Sequence, residues 1–431
     1  MNQERERIAI VGSGISGLAA AHALHPQHEV TVFEADVRVG GHTNTVAVEE
    51  PTQVLGIDTG FIVYNEPNYP VFSRLLGSLE VPTQPSDMSF SFSSRVSGLE
   101  YRPTDINGLL ARRGNLLRPS FARMLADIPR FNRDARRLLA SDDITTSLDD
   151  LLKRGQYSRP FIDHYLVPLG ASIWSADPTR FTDFPAASLA RFLERHGLLS
   201  VGGRPQWRTV SGGSNEYVKA LTRPFADRIR TAYPVRRVVR DGSGVQLFSP
   251  RRPGPERFDR VVFATHADTT LAILGDPSRE ETAILGAFRF QRNRATLHTD
   301  RSLLPLRRRA WASWNYRELR PGQDLPVISY YANRLQRLVS DTDYIVTLNA
   351  DDEINPSRVI ASFDYAHPVF NTGALQAQDR HAEIDGKRNT HFCGAYWGYG
   401  FHEDGAQSAR AVARSIARAT QSDAIQLSVS A

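Results

Sequence analysis

A single cysteine, Cys393, stands in 431 residues. That scarcity excludes an intramolecular disulfide framework and a thiolate zinc cluster, and a lone thiol fits a reducing cytoplasm. No run approaches the length of a transmembrane helix, and Met1-Asn2-Gln3-Glu4-Arg5-Glu6-Arg7 enters a strand without a signal-peptide pattern. The expected location is the cytoplasm, with a peripheral membrane contact left open. An excess of one charge is also missing, since 52 Lys and Arg face 47 Asp and Glu. The arginine groups Arg112-Arg113, Arg136-Arg137, Arg236-Arg237, Arg251-Arg252 and Arg307-Arg308-Arg309 are scattered, without the basic stripe or reader motif of a nucleic-acid binder. His391, His402 and Glu403 lack the spacing of a metal-binding helix, so no metal is expected. Gly212-Gly213-Ser214-Asn215-Glu216 is not a G-x-S-x-G elbow, because Glu216 stands where glycine is required. What is present is 41% hydrophobic and 23% charged, too apolar for a disordered chain and long enough for two or three domains.

The first chemistry lies at the start. Arg7 to Val11 reads as a buried strand, followed by Gly12-Ser13-Gly14-Ile15-Ser16-Gly17 and a helix-forming run from Leu18 to Leu24. In such a G-x-G-x-x-G turn, Gly12 permits the tight bend, Gly14 admits a pyrophosphate to the backbone, and Gly17 lets helix and strand approach. The helix N-terminus, including Ser16, presents unpaired N–H groups to the phosphates. A second strand, Glu29 to Phe33, ends at Glu34, twenty residues after Gly14, the position of the acid that accepts from a ribose hydroxyl.

After that acid comes Arg38-Val39-Gly40-Gly41-His42-Thr43. An R-x-G-G run here resembles the second glycine motif of the FAD-dependent amine oxidase superfamily, in which arginine and paired glycines border the diphosphate and flavin. The resemblance implies non-covalent FAD rather than NAD. It also implies that Gly60 and Phe61, in Asp58-Thr59-Gly60-Phe61, return beneath the flavin, and that the backbone of Val235 holds adenine. Near the C-terminus, Cys393-Gly394-Ala395-Tyr396-Trp397-Gly398-Tyr399-Gly400-Phe401-His402 resembles the closing contact, where a helix dipole faces the flavin pyrimidine; this brings Gly394, Phe401 and His402 to the cofactor. Many relatives carry an acid after the first glycine for the ribityl chain. Here it is Ala395, which leaves the ribityl contact open, with Glu403 and Asp404 as the nearby acids that could supply it. Cys393, within a strand, reads as a small core residue rather than a covalent flavin link.

The implied fold is α/β: a Rossmann-like FAD-binding domain of the amine oxidase and glutathione reductase type, discontinuous over 1–75, 206–275 and 381–431, with a mixed α+β substrate domain over 76–205 and 276–380. Ser86 to Ser93 alternates like a half-buried strand, Phe121 to Leu139 has helical spacing with Pro129 as a kink or break, and Trp311 to Tyr316 and Val327 to Tyr331 read as strands. Candidate substrate-cavity residues are Tyr64, Trp174, Tyr330, Trp397 and Tyr399, with a simple core role equally open for Tyr64. No catalytic base stands out.

Several segments, including Ile173-Trp174-Ser175, His196-Gly197-Leu198-Leu199 and Arg204-Pro205-Gln206-Trp207, resemble a bacterial subgroup of NAD/FAD-binding oxidoreductases that often accompany cyclopropane fatty acid synthases. This resemblance implies an apolar or lipid-like substrate, an acyl chain of a fatty acid or phospholipid that is dehydrogenated, and a cyclopropane-synthase-like methyltransferase as partner. Two alternatives stay open: a flavin amine or polyamine oxidase, and an FAD-stabilised non-catalytic partner of a lipid methyltransferase.

Overall fold

Residues Ile8 to Val11 are all buried, which is the signature of a strand covered on both faces. In the computed structural model, which describes residues 5–429 apart from 142, 144 and 201, this strand, Arg7–Val11, is central in a five-stranded parallel sheet. The strand order is Ile229–Arg230, Glu29–Phe33, Arg7–Val11, Arg260–Phe263, Thr390–Phe392. Alternation divides its side chains between two cores. Ile8, Ile10, Val30 and Val32 pack with the helix Ile15–Leu24 and the closing helix His402–Val429. Ala9, Val11, Phe33 and Phe263 pack instead with a three-stranded antiparallel sheet, Arg237–Asp241, Gly244–Phe248 and Glu256–Phe258. The turn after the first strand is tightly closed, since a Cβ on Gly17 would lie 2.0 Å from the Gly12 carbonyl oxygen.

The second layer is a seven-stranded mixed sheet drawn from residues 90–101 and 289–369, on which the helices Pro119–Ala140, Val167–Trp174 and Ala186–Arg195 close a large aromatic core. The strand expected over Ser86 to Ser93 starts at Phe90 and is buried on both faces. Phe92 enters the aromatic core, while the Ser91 hydroxyl donates to Asn315. Its serines are therefore hydrogen-bonded interior residues, not a solvated face. Pro129 neither stops nor splits its helix, which runs continuously from Pro119 to Ala140 and buries Phe121, Met124, Phe131, Ala135 and Leu138 along one stripe.

The segment from Phe161 to Trp174 contains a wide helical turn at Ile162–Leu166 before the regular helix Val167–Trp174. Pro168 has no N–H to give the preceding turn, and the Tyr101 hydroxyl donates to the His164 carbonyl at 2.7 Å instead. This substitution keeps the helix intact as it delivers Leu169, Ile173 and Trp174 to the cavity described below.

One ion-pair cluster anchors the antiparallel sheet. Arg240, with a side chain fully removed from solvent, bonds Asp276 at 3.0 Å and Glu281 at 2.5 Å. Glu281 also receives the Ser278 backbone N–H in a capping box. Arg240→Ala leaves the buried Glu281 without its cation, while Asp276 keeps Arg388, so unfolding free energy should fall by about 3 kcal/mol in denaturant titration. A loss below about 1 kcal/mol would show the cluster to be dispensable. Among the described residues, no helix is long and apolar enough to cross a membrane.

Candidate active site

A cavity of about 1050 Å³ runs between the two sheets. At one end stands the first glycine turn. Gly14 caps the helix Ile15–Leu24 without any side-chain hydrogen bond, so the N–H groups of the first turn face the cavity. A Cβ on Gly14 would meet nothing within 4 Å, whereas one on Gly41 would lie 3.0 Å from the Gly14 Cα; the two glycine turns touch and leave a cradle beside them. Glu34 is fixed by the Ser13 N–H (2.9 Å), the Ser13 hydroxyl (2.5 Å) and the Asp36 N–H (2.9 Å), with lone pairs left for hydroxyl donors. Arg38 donates to the Thr43 and Gly41 carbonyls, both at 2.8 Å, and so shapes the second turn while lining the cavity. Gly12, Ser16, Gly40, Val235 and Ala264 complete this end.

The middle of the cavity is lined by Gly60, Phe61, Gly394, Phe401 and His402, and by a histidine group that sequence spacing did not reveal. The ring of His42 lies 5.4 Å from that of His367 and 5.9 Å from that of His266, and it stacks on Tyr365 at 5.0 Å. Burial pushes His42 well below the usual imidazole range, and mutual repulsion among the histidines adds to it. Burial likewise takes His367 down to about 4. Asn293 donates to His367 Nδ1 at 2.9 Å. His402, lowered by burial to about 3, stacks on Phe61 at 3.6 Å and hydrogen-bonds the hydroxyls of Thr43 and Tyr217. Burial thus favours the neutral form of these imidazoles, and the described residues contain no group of three or more His, Cys, Asp or Glu able to hold a metal ion.

The far end is apolar. Ile62, Val63, Met88, Phe90, Leu169, Ile173, Trp174, Phe192, Leu198, Trp207, Trp314 and Tyr330 line it. Trp174 donates its indole N–H to the Tyr399 carbonyl at 3.1 Å, which locks both aromatics in the wall. His196 sits between Phe192 and Trp207, donates Nδ1–H to the Phe192 carbonyl at 2.8 Å and is held neutral by burial. Of the carboxylates lining the cavity, Glu34 and Asp36 belong to the glycine-turn end and Asp364 pairs with Arg294 at 2.9 Å. At the rim, exposed Arg204 makes no ion pair among the described residues.

The structure corrects the sequence reading at Trp397, at Thr43 and at the two acids of the closing turn, and decides between the two readings of Tyr64. Tyr64 does not line the cavity: it is a core tyrosine packed against Tyr69 and Phe72. Trp397 also lies outside it, against Phe288 and His381. Thr43 lies behind the wall, where its hydroxyl supports His402 and Tyr217; Gly17 serves helix packing, the role its place in the turn implies. Neither acid replaces the side chain missing at Ala395. Glu403 accepts from the Val71 and Phe72 N–H groups and so caps the helix Pro70–Ser78, while Asp404 accepts from the Phe401 N–H. Cys393 is buried in the core, off the cavity, and burial pushes its thiol up. Conversely, His196, Arg204 and Trp207 come from segments that the sequence marked only by resemblance, and the fold gives them positions in the wall.

The family model for flavin-containing amine oxidoreductases matches residues 15–321. The chain belongs to that family. Among curated relatives, AofH of Mycobacterium tuberculosis, named as a flavin-containing monoamine oxidase, is 29% identical over 283 residues, a stretch covering 63% of this chain and 59% of AofH. The chain thus aligns with less than two thirds of that relative's length. In fold it resembles cyclohexylamine oxidase from Brevibacterium oxydans, at a TM-score of 0.69 and 19% identity, covering 97% of this chain and all of that one. A fatty acid isomerase from P. acnes that produces CLA is similar at 0.67 and 15% identity, covering 96% of this chain and 99% of that one. The fold is accordingly the two-domain, FAD-binding fold of the flavin-containing amine oxidoreductases. The cradle fits that cofactor: open space at Gly14, unpaired helix N–H groups and an anchored Glu34 are the donor and acceptor set of a dinucleotide site.

Proposed function

We propose that this oxidoreductase dehydrogenates an acyl chain of a fatty acid or phospholipid. The observation that carries the reading is the far end of the cavity, which is walled by aliphatic and aromatic side chains, has no free carboxylate, and ends at the rim in Arg204. An apolar chain fills such a wall without leaving polar groups unpaired, and a guanidinium at the mouth suits a carboxylate or phosphate head. A cationic amine finds no counter-ion there. Of the aromatics expected in the cavity, which could have caged a cation, Tyr64 and Trp397 point elsewhere.

The two glycine turns, Glu34, Arg38, Val235, Gly394 and the start of the closing helix would hold FAD, which when bound would supply a two-electron acceptor. The protein contributes the rest. Leu169, Ile173, Trp174 and Tyr330 exclude water and align the chain, and Arg204 sets its depth. In the dehydrogenation, one C–H hydrogen would leave with its electron pair to that acceptor, the neighbouring one would pass as a proton to a base or a water molecule, and a carbon–carbon double bond would form.

The test is incubation with bacterial phospholipid and an electron acceptor, followed by mass spectrometry of the acyl chains. A product lighter by two hydrogens is expected; oxidation of a polyamine with no change in the lipid would instead assign amine chemistry. That second reading is favoured by the names of the amine oxidase relatives. A lipid methyltransferase as physical partner belongs to the proposal as well, and co-purification of the two proteins tests it.

A further inference from the structure

The arginine groups that lie far apart in sequence are gathered by the fold. Glu100 is the joint. Its backbone carbonyl accepts from Asn115 Nδ2 at 3.0 Å, and its carboxylate accepts from the Leu306 N–H at 2.5 Å and from Arg307 at 2.9 Å. The short helix Ile106–Leu109 packs against the turn Arg308–Ala310. Two segments with no acid in them, Ile106 to Ala126 and Arg301 to Arg317, thereby meet on one face.

That face exposes large apolar side chains: Leu117 is 87% exposed, Leu306 86%, Ile106 76% and Leu116 67%. Among them stand Arg112, Arg113, Arg307, Arg308 and Arg309; Arg307 and Arg308 pair with acids, Arg112 donates to the Gly98 carbonyl, and Arg113 and Arg309 make no ion pair among the described residues. Exposed leucines ringed by arginines fit neither a solvated surface nor a purely electrostatic patch. They match the interfacial zone of an anionic bilayer, where apolar side chains enter the acyl boundary and guanidinium groups meet phosphates.

The face is also tied to the cavity wall. Arg102, four residues before Ile106, donates to the Trp311 carbonyl, and Ser313 bonds both Asp87 and Ser89. Met88, Ser89 and Phe90 line the apolar end.

We propose that this face, centred on Ile106, Leu116, Leu117 and Leu306 within the arginines Arg112, Arg113 and Arg307–Arg309, docks the protein on an anionic lipid bilayer. The proposal goes beyond the acyl-chain reading and is tested without turnover, so the two fail separately. The FAD-loaded protein is sedimented with vesicles of phosphatidylcholine alone and of phosphatidylcholine with phosphatidylglycerol.

Wild type should pellet with the anionic vesicles and much less with the neutral ones, and salt should weaken the binding. Leu116→Ser/Leu117→Ser and, separately, Arg113→Gln/Arg309→Gln should each weaken it about tenfold or more, with FAD content and melting temperature unchanged. Wild type that stays in the supernatant with both vesicles would overturn the proposal. So would leucine and arginine variants that bind as well as wild type. A wild-type dimer in gel filtration that the leucine variant dissolves would assign the face to a second copy instead.

Discussion

Gly14→Glu is expected to fold and to purify without flavin. Gly14 has φ −69° and ψ 178°, a conformation open to any residue, and a Cβ there meets no protein atom within 4 Å. The apoprotein therefore has no steric reason to reject the substitution. The glutamate projects into the cradle between the two glycine turns, where a diphosphate would face a like charge, and FAD affinity should fall at least about a hundredfold. Gly17→Glu is the contrasting control, because its Cβ would lie 2.0 Å from the Gly12 carbonyl oxygen and the fold itself should suffer. Melting temperature and flavin absorbance separate the two effects. Gly14→Glu protein with a full complement of FAD would refute the placement of the cofactor.

The second large effect is expected at Ile173. This side chain lies on the same face of the helix Val167–Trp174 as Leu169, one turn earlier, and both line the apolar end of the cavity. Ile173→Asp places a carboxylate with no counter-ion against an acyl chain, at the cost of desolvating a charge. Flavin reduction by acyl lipid should slow about a hundredfold or more, with FAD content unchanged, while the neutral Ile173→Asn should lose less. A cationic substrate would respond in the opposite sense, since the new carboxylate would attract it. Reduction by lipid at the wild-type rate would mean that the chain does not pass Ile173.

The nucleotide end of the site was legible because its chemistry is local: strand, turn, helix, strand and acid all fall within residues 7–34 and fix one another's geometry. The apolar end was legible only as composition. Aromatic residues at helix or strand spacing announce burial, yet spacing does not say which interior they enter. Trp174 and Tyr330 face the cavity, whereas Tyr64 faces Phe72 and Trp397 faces Phe288. Acids near the closing turn carried the same ambiguity, and Glu403 was claimed by the unpaired N–H groups of a helix more than 300 residues earlier in the chain. The histidines His42, His266 and His367 come from three separate stretches, so only the packing of the two sheets could bring them together. The arginine face around Glu100 was invisible for the same reason.

The most direct test of the central claim is an anaerobic absorbance spectrum of the purified protein before and after addition of membrane phospholipid, with a polyamine mixture in a parallel cell. The account predicts an oxidised-flavin spectrum that phospholipid bleaches and polyamines leave intact. Bleaching by polyamines alone would contradict it, and the apolar end of the cavity would then need a different occupant.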